Sequence, residues 1–361
     1  SRAVRLTNLW LRDFRNYNEL ELELAPAGLT LVLGDNGEGK TNLLEAIGYL
    51  ATLSSFRRAP REALVRHGAD SAVIRGQGDE SGRRLLIEAE LNRVGRDRVL
   101  LNRSPLKQGR DLLGILRVTV FAPDDLDLVK GAPAGRRRYL DDVLVSLHPR
   151  YESLRSEVDR ILRQRGALLR QAGGRLTADV VSTLDVWDRA LVDRGGELTA
   201  AREALVGRLE PEVAKAYDQL APGEGEARLA YQRSWESDLG VALAGARAQD
   251  LRQGATTLGP HRDELALTIG DLPARTHASQ GEQRSLALGL RLASHALVTG
   301  ETATAPVLLL DDVFSELDPH RSRALVAHLP RGQAILTSAG EPPLGLQPAL
   351  RIRVRAGTVE S

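Results

Sequence analysis

The sequence predicts an α/β fold: a P-loop head with a mixed sheet, into which a mainly helical second lobe is inserted. Three observations carry that expectation. The octapeptide Gly34-Asp35-Asn36-Gly37-Glu38-Gly39-Lys40-Thr41 matches G-x-x-x-x-G-K-[ST], with an apolar β-prone run before it and a helix-like run after it. Strand and helix signals alternate between Gly and Pro boundaries near both ends of the chain. From about Tyr139 the apolar spacing changes to three and four, the period of helices. The expected divisions are an N-terminal half of the head at 1–138, a helical lobe at 139–235, and a C-terminal half of the head at 236–361. A chain of 361 residues exceeds one typical domain, so two lobes are expected on length as well.

The opening is β-prone around Leu6, Leu9 and Leu11, and Leu20, Leu22 and Leu24 alternate with Glu19, Glu21 and Glu23 in period two. Leu29-Thr30-Leu31-Val32-Leu33 reads as the strand entering the octapeptide, and Asn42-Leu43-Leu44-Glu45-Ala46-Ile47 as the helix leaving it. Glycines let such a loop curl so that successive N–H groups share one concavity. The helix adds its positive end to the same anion site. In a loop of this kind Lys40 reaches the β- and γ-phosphates and Thr41 offers a hydroxyl to Mg²⁺. Gly34, Asp35, Asn36, Gly37, Glu38, Gly39, Lys40, Thr41 and the adjoining Asn42 are therefore the candidate ATP-binding residues.

Segments 86–91 and 98–101 read as paired strands with Val94-Gly95-Arg96 in the turn, and 118–121 as a short buried strand that stops at Ala122-Pro123. In the helical stretch Leu154, Val158, Ile161 and Leu168 keep one face. After Gly173-Gly174 a second run follows, Leu184, Trp187, Leu191, Leu198 and Leu205, in heptad positions broken only at Arg194 and near Gly195-Gly196. An antiparallel helical pair is expected. Strand signals return at 264–269, 307–310 and 334–337.

The run 307–310 ends in Asp311-Asp312. In an open α/β sheet ligands bind beyond the carboxyl ends of the strands, which places Asp311 with Thr41 as the candidate Mg²⁺ site. Asp312, one residue on, is positioned to orient or deprotonate an attacking water. Lys40, Asp311 and Asp312 are the catalytic candidates. Ser279-Gln280-Gly281-Glu282 precedes an apolar-rich helix at 286–296, with Ser279 as N-cap and Glu282 completing a capping box.

Composition closes off other chemistries. Hydrophobic residues make up 42% and aromatics 4%, so the core must be built from Leu, Val, Ile and Ala. There is no cysteine, which excludes disulfides, thiolate zinc sites and a cysteine nucleophile. No stretch approaches 18 apolar residues, and Ser1-Arg2-Ala3-Val4-Arg5-Leu6 lacks a signal-peptide core; a soluble cytoplasmic protein without a membrane partner is expected. The chain begins at Ser1 and contains no methionine, so an initiator residue is removed or not represented. Net charge is +1, against a protein coated uniformly for nucleic acid. Yet 45 of the 49 basic residues are arginines, clustered at Arg57, Arg58, Arg61 and Arg66 and again at Arg136-Arg137-Arg138. Each cluster fits either phosphate-backbone contact or a solvated, ion-paired face.

Several segments resemble a known family. The Ser279–Ser285 stretch is similar to the signature motif of ABC-type ATPases, and Leu11-Arg12-Asp13-Phe14-Arg15-Asn16-Tyr17 to the opening of RecF, Rad50 and SMC-type heads. Phe121-Ala122-Pro123-Asp124-Asp125-Leu126, Gly135-Arg136-Arg137-Arg138, Leu140-Asp141, Leu258-Gly259-Pro260-His261-Arg262-Asp263-Glu264-Leu265 and Val313-Phe314-Ser315-Glu316-Leu317-Asp318 follow in the order expected of the RecF family. The chain thus resembles bacterial RecF, an ABC-type, SMC-like ATPase head. The resemblance implies that Ser279, Gln280, Gly281 and Glu282 bind the γ-phosphate held by the P-loop of a second copy. An ATP-dependent homodimer would then clamp double-stranded, gapped DNA. It implies ATP and Mg²⁺ as cofactors, RecR and RecO as partners, RecA loading as the outcome, and Arg57, Arg58, Arg61 and Arg66 as DNA contacts to test first.

Three departures from the wider ABC pattern stand out. Asp312 occupies the place of the usual glutamate and reaches less far, which suggests slow hydrolysis acting as a timer. Ile335-Leu336 is followed by Thr337-Ser338, with no switch histidine. No glutamine follows Val120-Phe121. Two alternatives are a head of an SMC or Rad50 complex and a transporter ATPase subunit. The first needs hundreds of coiled-coil residues where only about 240 separate Lys40 from Ser279. The missing histidine and the N-terminal segment count against the second.

Overall fold

The computed structural model describes residues 4–360; Ser1, Arg2 and Ala3 of the N-terminal segment, and Ser361, lie outside the described residues. The chain divides into two compact units. The first comprises Ser1–Asp125, Lys215–Glu224 and Arg284–Ser361, the second Leu126–Ala214 and Gly225–Gln283.

The chain opens with strands β1 (Arg5–Phe14), β2 (Tyr17–Glu23) and β3 (Gly28–Leu33), helices α1 (Lys40–Thr52) and α2 (Arg61–Leu64), and strands β4 (Ser71–Glu80), β5 (Arg83–Asn92), β6 (Arg98–Leu101), β7 (Ser104–Pro105) and β8 (Val118–Phe121). Helices α3 (Asp127–Lys130), α4 (Pro133–Leu147), α5 (Arg150–Gln171), α6 (Ala178–Ala190) and α7 (Gly196–Leu220) follow. Next come β9 (Ala227–Gln232), α8 (Leu239–Gln253), β10 (Glu264–Ile269), β11 (Leu272–Pro273) and α9 (Ala274–His277). The chain ends with α10 (Gln280–Thr302), β12 (Val307–Asp311), α11 (Pro319–His328), β13 (Gln333–Ser338), β14 (Pro348–Arg355) and β15 (Thr358–Glu360).

The first unit holds two six-stranded sheets. One is antiparallel, in the order β2-β1-β4-β5-β6-β7; the other is mixed, in the order β15-β14-β3-β13-β12-β8, with only β15 antiparallel to its neighbour. The period-two pattern sets the register of the first: Leu9 faces Leu22 and Leu11 faces Leu20, all buried, while Glu19, Glu21 and Glu23 point outward. The expected hairpin forms with Ile87 opposite Leu101, and Val94 and Gly95 lie in its turn. α1 is buried on all sides from Leu43 to Ala51 and packs against both sheets. A helix apolar all round belongs in a core. A single cluster including Leu43, Leu44, Ile47, Leu50, Leu6, Ile74 and Leu309 joins them.

The second unit contains helices and a three-stranded antiparallel sheet, β11-β10-β9. That sheet explains why its limits differ from the expected 139–235: the strand signal at 264–269 belongs here, and the helical run begins at Pro133, a favoured first-turn residue, not at Tyr139. The antiparallel helical pair is present. Arg165 of α5 reaches Asp188 of α6, and Glu157 reaches Arg194 just beyond it. The heptad break at Arg194 and Gly195 is a π-helical turn over Leu191–Gly195. It packs against Pro260, 3.2 Å from where a Cβ on Gly195 would stand.

Arginine serves here as internal glue. Arg136 pairs with Glu264 through two bonds of 2.8 Å and donates to the carbonyls of Leu128 and Gly131; Arg137 donates to the Asp263 carbonyl at 2.7 Å. Arg202 forks onto Asp141 at 2.7 and 2.8 Å and donates to the Pro260 carbonyl. Asp263 accepts from Ser234 N at 2.8 Å and the Tyr231 hydroxyl at 2.7 Å. The segments 135–138, 140–141 and 258–265 are thus parts of one network. This corrects the phosphate-contact option for Arg136, which is only 5% exposed.

Deeper still, Arg165 is wholly buried, bonded to Asp188 and Asp250 at 2.7 Å each and to Thr256 at 2.9 Å. Asp250→Ala is expected to leave that guanidinium buried with half its countercharge, lowering unfolding stability by about 3 kcal/mol or more. Removing the exposed Glu341 partner of Arg351 should cost at most about 0.5 kcal/mol. Chemical denaturation of both variants compares them directly.

Candidate functional site

The octapeptide bridges the end of β3 and the start of α1, beyond the carboxyl ends of parallel strands. Two of its glycines are required by close approach. A Cβ at Gly34 would stand 2.5 Å from the Val354 carbonyl oxygen. One at Gly39, which has φ +108°, would stand 2.6 Å from the Asn16 side chain. Gly39 is the N-cap of α1, and no side chain caps the helix. The first helical bond runs from Leu43 N to Gly39 O at 3.2 Å, so the N–H groups of Lys40, Thr41 and Asn42 have no intrahelical acceptor. Such a terminus fits an anion.

The Lys40 ammonium is buried and donates to the carbonyls of Gly34 and Asp35, at 2.5 and 2.7 Å. Burial lowers its pKa, while the carboxylates of Asp312, Asp311, Asp35 and Glu38 act in the opposite sense. Asp311, the last residue of β12, is 4% exposed. Its Oδ1 accepts from the Thr41 hydroxyl at 2.9 Å and the Thr337 hydroxyl at 2.8 Å. Burial raises the Asp311 pKa; the bonds from Thr337 and Thr41 pull the other way, and the Asp312 charge adds to the rise. Asp312 lies just past the strand with φ +47°, and its N–H donates to Thr337 Oγ1 at 3.0 Å.

One hydroxyl and one carboxylate fit Mg²⁺, which takes few protein ligands and fills its shell with phosphate oxygens and water. Among the described residues no group of three or more His, Cys, Asp or Glu could hold a metal, so a protein-only metal cage does not compete with that fit. Thr337 was not foreseen as functional. Where a switch histidine was sought, the structure has a hydroxyl tying both aspartates, and the only signal was a polar residue closing an apolar strand.

The four arginines proposed for DNA have different surroundings. Arg57 Nη1 donates to Asn42 Oδ1 at 3.1 Å and lies 3.9 Å from Glu45; its charge also favours ionised Asp311. It therefore stands beside the P-loop helix. Arg61 pairs with Asp97 at 3.2 Å and Arg66 with Asp13 at 2.7 Å. Arg58 is exposed, with φ +58°, and no side-chain partner is found for it among the described residues. Glu45 orders this region. Fully buried, it accepts two 2.7 Å bonds from Arg15 and one from the Ser55 hydroxyl, and Ser55 Oγ accepts from Arg57 N and Ala59 N. Sequence periodicity could not flag Glu45, since an acidic residue in a helix reads as exposed.

Ser279, Gln280, Gly281 and Glu282 belong to the second unit, whereas the P-loop residues and Asp311-Asp312 belong to the first, which brings them together. The capping box is formed: Ser279 N donates to Glu282 Oε2 at 2.6 Å and Glu282 N to Ser279 Oγ at 3.2 Å. Gln283 fastens the same turn to the carbonyls of Ala274 and Arg275. Ser279 and Gln280 are exposed.

The model of the RecF/RecN/SMC N terminal domain matches residues 5–340. The DNA replication and repair protein RecF of Streptomyces avermitilis is 45% identical, over 99% of this chain and 100% of its own. The chain belongs to the RecF family. RecF of Frankia alni is 46% identical over 94% of both chains. A solved structure of the recombination mediator protein RecF with ATP, in the RecFOR pathway, superposes with a TM-score of 0.91 at 26% identity, covering 99% of this chain and 98% of that one. The Smc head domain of Pyrococcus furiosus, bound to the C-terminal domain of ScpA, reaches a TM-score of 0.57 at 17% identity, over 99% of this chain and 95% of that one, a likeness of fold alone. Like those RecF and Smc heads, this RecF-family chain has the ABC-type ATPase head fold.

Ser279→Ala removes the acceptor for Glu282 N and is expected to cost the start of α10 about 1 kcal/mol. Hydrogen exchange should then quicken at 280–283 and stay unchanged in α1.

Proposed function

We propose that this RecF-family protein is an ATP-gated DNA clamp of recombinational gap repair. The observation that carries the proposal is the convergence, in one unit, of an uncapped helix N-terminus, buried Lys40, and the Thr41–Asp311 contact of 2.9 Å. Gly34 to Asn42 would bind ATP, with Lys40 on its phosphates, and Thr41 and Asp311 would hold Mg²⁺. The metal would supply charge neutralisation for the phosphates. Asp312 would orient the attacking water, and its short side chain supports a weak ATPase used as a timer. Arg57 fits better as a nucleotide-side residue than as a DNA contact, given its bond to Asn42.

The exposed, capped start of α10, with Ser279, Gln280, Gly281 and Glu282, would bind the nucleotide of a second copy. Such a switch requires ATP to bind the dimer much better than the monomer, and a nucleotide bridging two copies supplies that difference. DNA as substrate is supported by the relatives' name, DNA replication and repair protein RecF, and RecO and RecR as partners by the RecFOR pathway of the solved RecF structures. RecA loading on gapped duplex remains the expected outcome. Arg58 is the first DNA contact to test, ahead of the ion-paired Arg61 and Arg66. Among the described residues no helix is long and apolar enough to cross a membrane, and action on chromosomal DNA would place the protein in the cytoplasm.

Sedimentation with and without ATP tests the clamp. ATP should convert the protein to dimer, and Lys40→Arg and Ser279→Arg should each weaken that conversion at least about tenfold, the loss of one or two charge-assisted bonds. Assembly of Ser279→Arg at wild-type concentrations would count against binding across two copies. Arg57→Ala should weaken ATP binding about tenfold. Arg58→Ala should leave ATP binding intact while weakening duplex binding, which itself should fall steeply with salt and show little sequence preference. A flat salt response would contradict a backbone-reading clamp.

A further inference from the structure

Two hairpin turns from opposite ends of the chain meet at the phosphate loop. The Glu38 carbonyl accepts from Asn16 Nδ2, in the β1–β2 turn, at 3.1 Å and from Gly357 N, in the β14–β15 turn, at 3.4 Å. The Glu38 side chain accepts from Ala356 N. The next carbonyl, that of Gly39, accepts from the Tyr17 hydroxyl at 2.9 Å as well as from Leu43 N. Asn16 also takes a bond from Asn42 Nδ2 at 2.8 Å. The packing leaves no slack: a Cβ on Gly357 would stand 2.7 Å from the Asn16 carbonyl oxygen. Ala356 at φ +48° and Gly357 at φ +73° form a two-residue turn with both residues left-handed, between the paired Arg355 and Thr358.

A trans peptide is planar, so its carbonyl and N–H point to opposite sides. Holding the Glu38 carbonyl against two turns aims the Gly39 N–H away from them, and holding the Gly39 carbonyl on Tyr17 aims the Lys40 N–H likewise. We infer that Asn16, Tyr17 and Gly357 are positioning residues for the phosphate loop, which preset the Gly39 and Lys40 N–H groups to receive the inner phosphates of a nucleoside di- or triphosphate. None of the three needs to touch the ligand. Gly37 and Gly39 both lie at positive φ, so without these restraints the Glu38–Gly39 peptide rotates at little cost and the Gly39–Lys40 peptide is held by Leu43 N alone, and ordering them falls on ligand binding. Backbone N–H groups of such loops serve the phosphates common to ADP and ATP, so the two nucleotides should be affected alike. The inference rests on the nucleotide-binding role proposed above.

Calorimetric titration of the full chain with ADP and with ATP tests it, comparing wild type, Lys40→Ala, Tyr17→Phe, Asn16→Ala and Gly357→Ala. Tyr17→Phe and Asn16→Ala should each raise both dissociation constants by about five- to tenfold, as expected for one lost hydrogen bond. The melting temperature of the free protein should shift by no more than about 4 °C. Gly357→Ala should act at least as strongly; if it does not fold, Tyr17→Phe, which deletes a single oxygen, carries the test. Melting temperatures lowered with both dissociation constants at wild-type values would show a merely structural role and overturn the inference. So would Tyr17→Phe and Asn16→Ala binding ADP as wild type does while Lys40→Ala does not bind. A wild-type protein that binds neither nucleotide overturns the nucleotide reading itself, and this inference with it.

Discussion

A helix buried on nearly every side, yet bare of any side-chain cap at its start, is the constraint around which the first unit is arranged. α1 earns its place in the core through Leu43, Leu44, Ile47 and Leu50, but its first N–H groups have no partner in the helix. A partly buried helix end of that kind fits an anion. The surrounding glycines, the buried lysine and the aspartate at the end of β12 all bear on that one terminus. Strands of both sheets pack against it.

Charge is handled the same way throughout: carboxylates are buried only where donors surround them. Glu45 organises Arg15, Ser55 and the loop bearing Arg57, and Asp311 is held between two threonine hydroxyls. In the second unit Arg165, Arg136 and Arg202 meet Asp188, Asp250, Glu264 and Asp141. An arginine-rich chain with a net charge of only +1 is therefore not simply a basic DNA-coating protein. Much of its arginine is spent internally, where the planar, forked guanidinium suits paired carboxylate recognition better than lysine does.

Much of this was legible from residues alone. The P-loop, the aspartate pair, the capping box and the strands at 86–101 rest on local patterns whose physics acts within a few residues; the structure forms the capping box and the hairpin where those patterns lie. What escaped the sequence was long-range. The strand at 264–269 looks the same whether it belongs to the mixed sheet or to a separate three-stranded one, since periodicity does not name its partner. β14 and β15 were not anticipated: Arg351, Arg353 and Arg355 alternate with buried Ile352 and Val354, and the arginines masked a strand. The roles of Thr337, Glu45 and Asn16 depend on neighbours 22 to 30 residues away and could not be read from spacing. The helix start at Pro133 was available from the proline itself, but the arginines beside it suggested an exposed surface.

The central claim is that each nucleotide joins the P-loop of one copy to the α10 start of another. Mixing two defective variants tests it most directly. Lys40→Ala retains a sound α10 start, and Ser279→Arg retains a sound P-loop, so a mixed pair contains one complete site. The account predicts that neither variant alone assembles with ATP at concentrations where wild type does, while the equimolar mixture recovers ATP-dependent assembly. A mixture that sediments as the plain sum of its two inactive components would contradict it.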